Sequence, residues 1–251
     1  MSGRPRRRPQ AKPRVVADLE APLAIAIDTS GAVESLAVVQ GDLVLADQRI
    51  RRPRRRGTAL GVAIQQLLAS CDRTPSDLSA LTAGIGPGAF TGLRVGLATA
   101  HGLATALQIP LYGFDSTLGL ACAVGRPGRP VAVVLDARRD EVYSAVYDLD
   151  GDGLPAVVRA TTLESPASLH EALPDDALLV GDGARLYAAA LTDGKPERTV
   201  GVLQPEGPSL APLAADALRR LAAGESPPLA TVQPVYLREH DGVRKTPQRD
   251  S

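Results

Sequence analysis

The chain has 251 residues and a mass of 26.1 kDa, enough for one large domain or two ordinary ones. Hydrophobic residues make up 44% and charged residues 22%, values of ordinary globular proteins that exclude collagen, coiled coil and wholesale disorder. An aromatic share of only 3%, with no Trp, argues against a nucleic-acid platform of stacked rings, and the formal net charge is zero.

That neutrality is uneven. Met1 to Arg14 carries six basic residues and Arg49 to Arg56 six more, with no acid in either stretch, so the remaining 16 basic residues face all 28 acidic ones. Two basic patches therefore sit on an acidic body. Residues 1–21, rich in Pro and Arg, read as a flexible basic tail that buries too little apolar surface to order itself. No signal-peptide core follows it and no apolar run spans a bilayer, so the expectation is a cytoplasmic protein that contacts no membrane. Cys71 and Cys122 lack C-x-x-C spacing, which suggests neither a disulfide framework nor a zinc site.

Order is expected to begin at Leu23-Ala24-Ile25-Ala26-Ile27, an unbroken apolar run ending in Asp28 that reads as a central buried strand. Ser35–Val39 and Leu43–Ile50 follow as a hairpin around Gln40-Gly41-Asp42. After the arginine-rich loop the period becomes helical at Leu60, Ile64, Leu67 and Leu68, with Thr58 placed to cap the helix. Ala80–Ile85 is another strand, and the turn Gly86-Pro87-Gly88-Ala89-Phe90-Thr91-Gly92 feeds a helix predicted from near Leu93 to Leu107. Leu111–Phe114 closes the unit with one more strand.

The second half repeats the first. Val131–Leu135 and Asp136 mirror the opening run and its terminal Asp at an offset of 108 residues. Tyr143–Tyr147, a turn at Asp150–Gly153, and Ala156–Ala160 follow, then helical patterning at Ala167–Leu173 and a strand at Ala177–Val180. A last helix, Leu210–Ala222, is expected beyond a Pro/Gly-rich stretch, before a polar tail. The order predicts an α/β protein of two tandem ribonuclease H-like domains, each a mixed sheet flanked by helices. They are expected over residues 22–113 and 114–238, with helix 210–222 packing back on the first and 239–251 left as a tail.

Duplicated ribonuclease H-like domains characterise the actin, sugar kinase and Hsp70 superfamily (ASKHA). Four segments narrow the match: Leu23–Ser30, Gly84–Gly96, Asp136–Tyr143 and Val235–Arg238. Over about residues 22–238 the chain resembles the bacterial TsaB family, also called YeaZ. The resemblance implies a non-catalytic subunit of the tRNA N6-threonylcarbamoyladenosine machinery. It implies pairing with the catalytic paralogue TsaD, action with the ATPase TsaE, contact with tRNA through the complex, and a homodimer when alone. It implies no cofactor held tightly by this chain, with room for ATP or ADP at the subunit boundary. The arginines of Arg51–Gly57 and the basic tail depart from the family pattern.

The motifs also have direct chemical readings. Gly86–Gly92 lies between a strand and a helix N-terminus, where an anion is favoured, yet it lacks the Lys and spacing of a Walker loop. The stronger expectation is structural, with Gly86 and Gly88 supplying special backbone angles and Gly92 and Gly96 close packing. Asp28 is the cofactor candidate, because catalytic actin-like proteins use an acid there to hold a water of the nucleotide's magnesium. The competing reading is that Asp28 and Asp136 terminate strands and hold turns. His101, His170 and His240 form no H-x-x-x-H or H-E-x-x-H pair of the kind that binds metal on a helix.

The helices at Thr58–Ala69 and Gly92–Leu107 are predicted to form the association surface, with Leu60, Ile64, Leu67, Gly92, Leu93, Gly96, Leu97 and Ala100 as its residues. The alternative is that their small row packs inside the domain. Arg54, Arg55 and Arg56 are the candidate tRNA contacts, against a solvated loop that only balances charge. An independent actin-like ATPase or small-molecule kinase is the competing function, and a general RNA-binding protein a third.

Overall fold

Leu23 to Asp28 are all buried and form β1 (Leu23–Asp28), the middle strand of the first of two five-stranded sheets in the computed structural model. The structure describes residues 20–51, 60–151, 153–203 and 207–238. Residues 1–19 of the basic tail, Thr58, Arg54, Arg55, Arg56, His240 and the polar C-terminal tail lie outside them.

The first sheet also contains β2 (Val33–Gln40), β3 (Leu43–Arg51), β4 (Leu78–Gly84) and β5 (Leu111–Phe114), in the order β3-β2-β1-β4-β5. The hairpin pairs β1 with β2 and β2 with β3 antiparallel, whereas β1, β4 and β5 run parallel. Parallel neighbours need crossovers. Helices α1 (Leu60–Ser70) and α2 (Phe90–Leu107) precede β4 and β5 and supply them. The period of two in β1 then sorts its side chains: Leu23, Ile25 and Ile27 pack with α1 and α2, while Ala24 and Ala26 face the opposite layer. Small residues there leave space for a helix.

Strand for strand, the second half has the same plan. Its strands are β6 (Val131–Arg138), β7 (Glu141–Asp148), β8 (Ala156–Glu164), β9 (Leu178–Val180) and β10 (Thr199–Val200), ordered β10-β9-β6-β7-β8. The α/β fold of two mixed sheets flanked by helices is therefore as expected. A short helix, α3 (Ser116–Cys122), links the sheets, and α4 (Pro166–Ala172) crosses to β9. Where the first half has the long α2, the second has two short pieces, α5 (Asp182–Leu186) and α6 (Ala188–Thr192). Neither was legible as periodicity, because five residues complete less than two turns.

The last helix, α7 (Ala211–Ala222), returns to the first sheet, where Leu213, Ala214, Ala217 and Leu218 cover Ala24, Ala26, Ala37 and Ala80. The halves are also joined by hydrogen bonds. Asp115 caps α3 through Thr117 N at 2.8 Å and accepts from Thr161 Oγ1 on β8 at 2.6 Å, while Thr117 Oγ1 meets Tyr147 Oη on β7 at 2.7 Å. No helix among the described residues is long and apolar enough to cross a membrane.

Candidate functional site

Each central strand carries an acid that folds the chain back on itself, Asp28 at the last position of β1 and Asp136 two residues before the end of β6. Asp28 Oδ1 accepts from Ser30 N at 2.6 Å, and Asp136 Oδ1 accepts from Arg138 N at 2.8 Å. These are matching Asx turns at equivalent points of the duplication, the geometry expected of acids that hold turns. The glycine segment presses onto the first of them. Ser30 O accepts from Ala89 N at 2.7 Å, Thr29 Oγ1 donates to Gly92 O at 2.7 Å, and a Cβ on Gly88 would stand 2.5 Å from Ser30 O. A Cβ on Gly96 would collide with Thr29 Oγ1.

Gly86 has the special backbone angle expected of it, with φ +108°, before a cis peptide to Pro87. Gly88 is different: its φ is not positive, and what it supplies is close approach. The predicted start of α2 also moves from Leu93 back to Phe90, since the Ala89–Ser30 bond already fixes the chain entering the helix.

In the second half, Asp182 Oδ1 accepts from Asp136 N at 3.0 Å and Gly183 N at 2.9 Å, and Gly181, at φ +113°, lets its loop close on the carbonyl of Val134. Between the halves lies a cleft of about 500 Å³ whose walls include Ser30, Gly88, Ser116, Asp136, Arg138 and Asp182. Arg138 pairs with Asp136 Oδ2 at 2.8 Å and keeps 85% of its side chain exposed.

The candidate Asp28 does not reach this cleft. It is only 2% exposed, and its Oδ2 lies inward against Gly84 and Ser116 with no well-formed hydrogen bond. Burial raises its carboxyl above the usual Asp value, against the opposing hydrogen bonds from Ser30 and Ser116. The resemblance of the sequence to the actin-like superfamily raises the expectation of a magnesium nucleotide held beside this strand end. These residues do not fit one, because the acid is sealed behind its own turn and the turn's Ser30 carbonyl is already bonded. Asp28 is thus corrected from a cofactor ligand to a turn-holding acid.

The raised pKa sets a testable pH dependence. A buried acid that binds its proton more tightly when folded loses stability as pH rises from the ordinary Asp value, 3.8, through the raised folded value. Asp28→Asn keeps an acceptor for Ser30 N without the charge. It should be at least as stable as the parent at pH 7 and lack that decline, whereas Asp28→Ala should lose about 1–3 kcal/mol with the orphaned Ser30 N. Urea melts from pH 4 to 8 check this; an Asn variant destabilised more at pH 7 than at pH 4 refutes it.

The predicted association residues are likewise placed inward. Leu60, Ile64, Leu67, Leu93, Leu97 and Ala100 are between 0% and 7% exposed, and Gly92 and Gly96 are buried with them. The row Gly92, Gly96, Ala100, Ala104 packs inside the domain. What α1 and α2 turn outward instead is Gly61, Val62, Gln65, Gln66, Ala69 and Ser70, and Phe90, Thr91, Arg94, Val95, Ala98, Gly102, Thr105 and Ala106. The two helices contain one arginine, one histidine and no acid, in a chain whose residues are 22% charged.

The other candidate nucleophiles and ligands have structural partners. His101 Nε2 lies 2.7 Å from Val232 O, and His170 Nδ1 is 3.2 Å from the Arg198 guanidinium. The Cys122 thiol is pushed up to about 12 by burial, and both cysteines are free. Among the described residues no group of three or more His, Cys, Asp or Glu is placed to hold a metal ion.

Three of the four segments that carried the family resemblance line the cleft, and the fourth, Val235–Arg238, contacts two of them. Beyond the Thr29–Gly92 and Ser30–Ala89 contacts, Tyr236 stacks near Phe90 with ring centroids 5.4 Å apart, and Arg238 pairs with Glu141. A family model described as "TsaD: tRNA N6-adenosine threonylcarbamoyltransferase" matches residues 54–176. The Escherichia coli tRNA threonylcarbamoyladenosine biosynthesis protein TsaB is 29% identical over 238 residues, covering 90% of this chain and 99% of that one. The Bacillus subtilis TsaB is 33% identical over 134 residues, 53% of this chain and 58% of the relative. The solved structure of YeaZ from Pseudomonas aeruginosa superposes with a TM-score of 0.71 at 27% identity, over 86% of this chain and all of that one. The chain belongs to the TsaB (YeaZ) family. As a TsaB-type protein it has its role in tRNA threonylcarbamoyladenosine biosynthesis. Its segments 23–30 and 84–96 form the packed junction of β1, β4 and α2.

Proposed function

We propose that this TsaB protein is the non-catalytic subunit of the tRNA N6-threonylcarbamoyladenosine-modifying complex and docks the TsaD-type catalytic paralogue through the outward face of α1 and α2. The observation that carries the reading is the chemistry of that face. Interface cores are depleted of charge, and an exposed helical surface of small, apolar and uncharged polar residues with almost no ionisable groups is unusual for a free one. Gly61 and Gly102 strengthen the point. A Cβ at either would meet nothing within 4 Å, so nothing among the described residues requires a glycine there, and each costs about 1 kcal/mol of helix stability relative to Ala. A partner helix approaching closely supplies the missing reason.

The non-catalytic part of the reading is supported by the sealing of Asp28 and the internal use of His101 and His170. In this reading the same face forms a homodimer when the paralogue is absent, a TsaE-type ATPase joins the assembled complex, and ATP or ADP is bound at the subunit boundary rather than by this chain alone. Reconstitution tests it. The isolated protein should neither hydrolyse ATP nor modify tRNA, and modification should appear only with the paralogue and the other components present. Turnover by this chain alone that is lost on Asp28→Ala would instead support an independent ATPase.

Contact with tRNA is proposed for Arg54, Arg55 and Arg56. Replacing all three with Gln should weaken tRNA binding by the assembled complex and lower the slope of log affinity against log salt by up to about 2–3. An unchanged affinity and slope between about 50 and 200 mM salt would leave those arginines as charge balance only.

A further inference from the structure

After α7 the described residues run as a strap over the first half and reach the second at Arg238. Val232 is 4% exposed in the core beside α1 and α2, and Val235 N donates to Ile85 O at 2.8 Å. Gly86 has no side chain where the carbonyl of Val235 passes, 3.1 Å from the position of a Cβ. Tyr236 then lies against Phe90 at the start of α2, its hydroxyl accepting from Arg94 Nε at 3.2 Å. Two residues later the strap crosses over. The Arg238 guanidinium donates to Glu141 Oε2 and, at 3.2 Å, to the carbonyl of Arg138.

The point it reaches is the turn between β6 and β7. Arg138, Arg139 and Asp140 have φ of +63°, +59° and +56°, three successive side-chain-bearing residues in the left-handed region. Each such residue costs of order 1 kcal/mol, so the turn persists only where its surroundings hold it. Asp136 holds it from below through Arg138 N and the Arg138 guanidinium. Arg238 holds it from the far side. Arg138 is also a wall of the cleft, so this turn is part of the cleft's boundary.

The geometry points to a latch: Arg238 is a positioning residue that ties the β6–β7 turn to the strap, coupling the cleft wall to the seating of Val235 and Tyr236 at the N-terminus of α2. The side chains of Arg238 and Glu141 are 24% and 39% exposed. A pair so open to water is weak enough to release without unfolding either half. Release lets the left-handed turn relax and loosens the strap together. The latch lies within one chain and does not depend on the partner proposed above.

Amide hydrogen exchange on the full chain tests it, using Arg238→Gln, Glu141→Gln and the double variant. Either single change should accelerate exchange about three- to fivefold both in residues 137–143 and in residues 232–237, with the melting transition unaltered. The double variant should exchange no faster than the singles, since the second change removes a partner already lost. Acceleration confined to the substituted segment, no acceleration in either, or additive effects in the double variant would each overturn the latch. Two independent single variants keep the test readable if one folds poorly.

Discussion

Leu97→Asp should unfold the first domain, whereas Ala98→Glu, one residue away, should leave the protein folded and abolish its association with the catalytic paralogue. Leu97 is 3% exposed and packs with Ile25, Ile27 and Ile64, so a carboxylate there is a buried charge without a partner. Its cost, upwards of about 4 kcal/mol, is a large share of the stability of a domain this size. Ala98 faces out. A surface change away from special features moves stability by about 0.5 kcal/mol or less, or roughly 1–2 °C in Tm. Across a close helix contact the same carboxylate is desolvated and overpacked, and affinity should fall at least about a hundredfold.

Gly102→Ala sharpens the contrast, because it should stabilise the isolated chain by up to about 1 kcal/mol and still weaken the complex. Thermal melts with analytical ultracentrifugation of each mixture decide the matter. Native affinity in Ala98→Glu, or loss of association only in variants that also unfold, would remove α2's outer face from the interface.

The second large effect belongs to the glycines that seat loops on the strand ends. At Gly181 a side chain would meet the carbonyl of Val134, in the middle strand of the second sheet, and φ is +113° where L residues are strained. Clash and strain together should cost about 3–5 kcal/mol for Gly181→Ala, a fall in Tm of about 6 °C or more. Gly88→Ala should cost less, about 1–3 kcal/mol, because its backbone angle is ordinary and only the 2.5 Å approach to Ser30 O is at stake. Gly102→Ala, with open space around it, is the control that should show no loss. Circular dichroism melts are sufficient, and a Gly181→Ala variant within about 1 kcal/mol of the parent would show that the loop has another way to close. The comparison separates glycines that build the cleft from one with open space around it.

Much of this was legible beforehand because it rests on local period. The run from Leu23 to Asp28 and its copy 108 residues later are strands by composition, and the antiparallel hairpin followed by helix, strand, helix, strand names the architecture. The paired acids at Asp28 and Asp136 were also visible, each directly after an apolar run. Whether they faced a ligand was not, since that depends on Gly88 and Ala89 arriving from a distant part of the chain to cap Ser30.

The faces of α2 show the same limit most plainly. Its sequence contains one row of small residues at Gly92, Gly96, Ala100 and Ala104. A second row, of small and β-branched residues, runs through Val95, Ala98, Gly102 and Thr105, and both rows have helical spacing and no charge. Periodicity finds a row but cannot tell which of two similar rows its own sheet will cover. Thr29 decides it: its hydroxyl bonds Gly92 O and occupies the space where Gly96 has no Cβ, so the first row turns inward and the second stays exposed. The sequence determined the elements and their order through contacts a few residues apart, and the tertiary structure decided which surfaces remain exposed, because burial depends on groups brought together from distant parts of the chain.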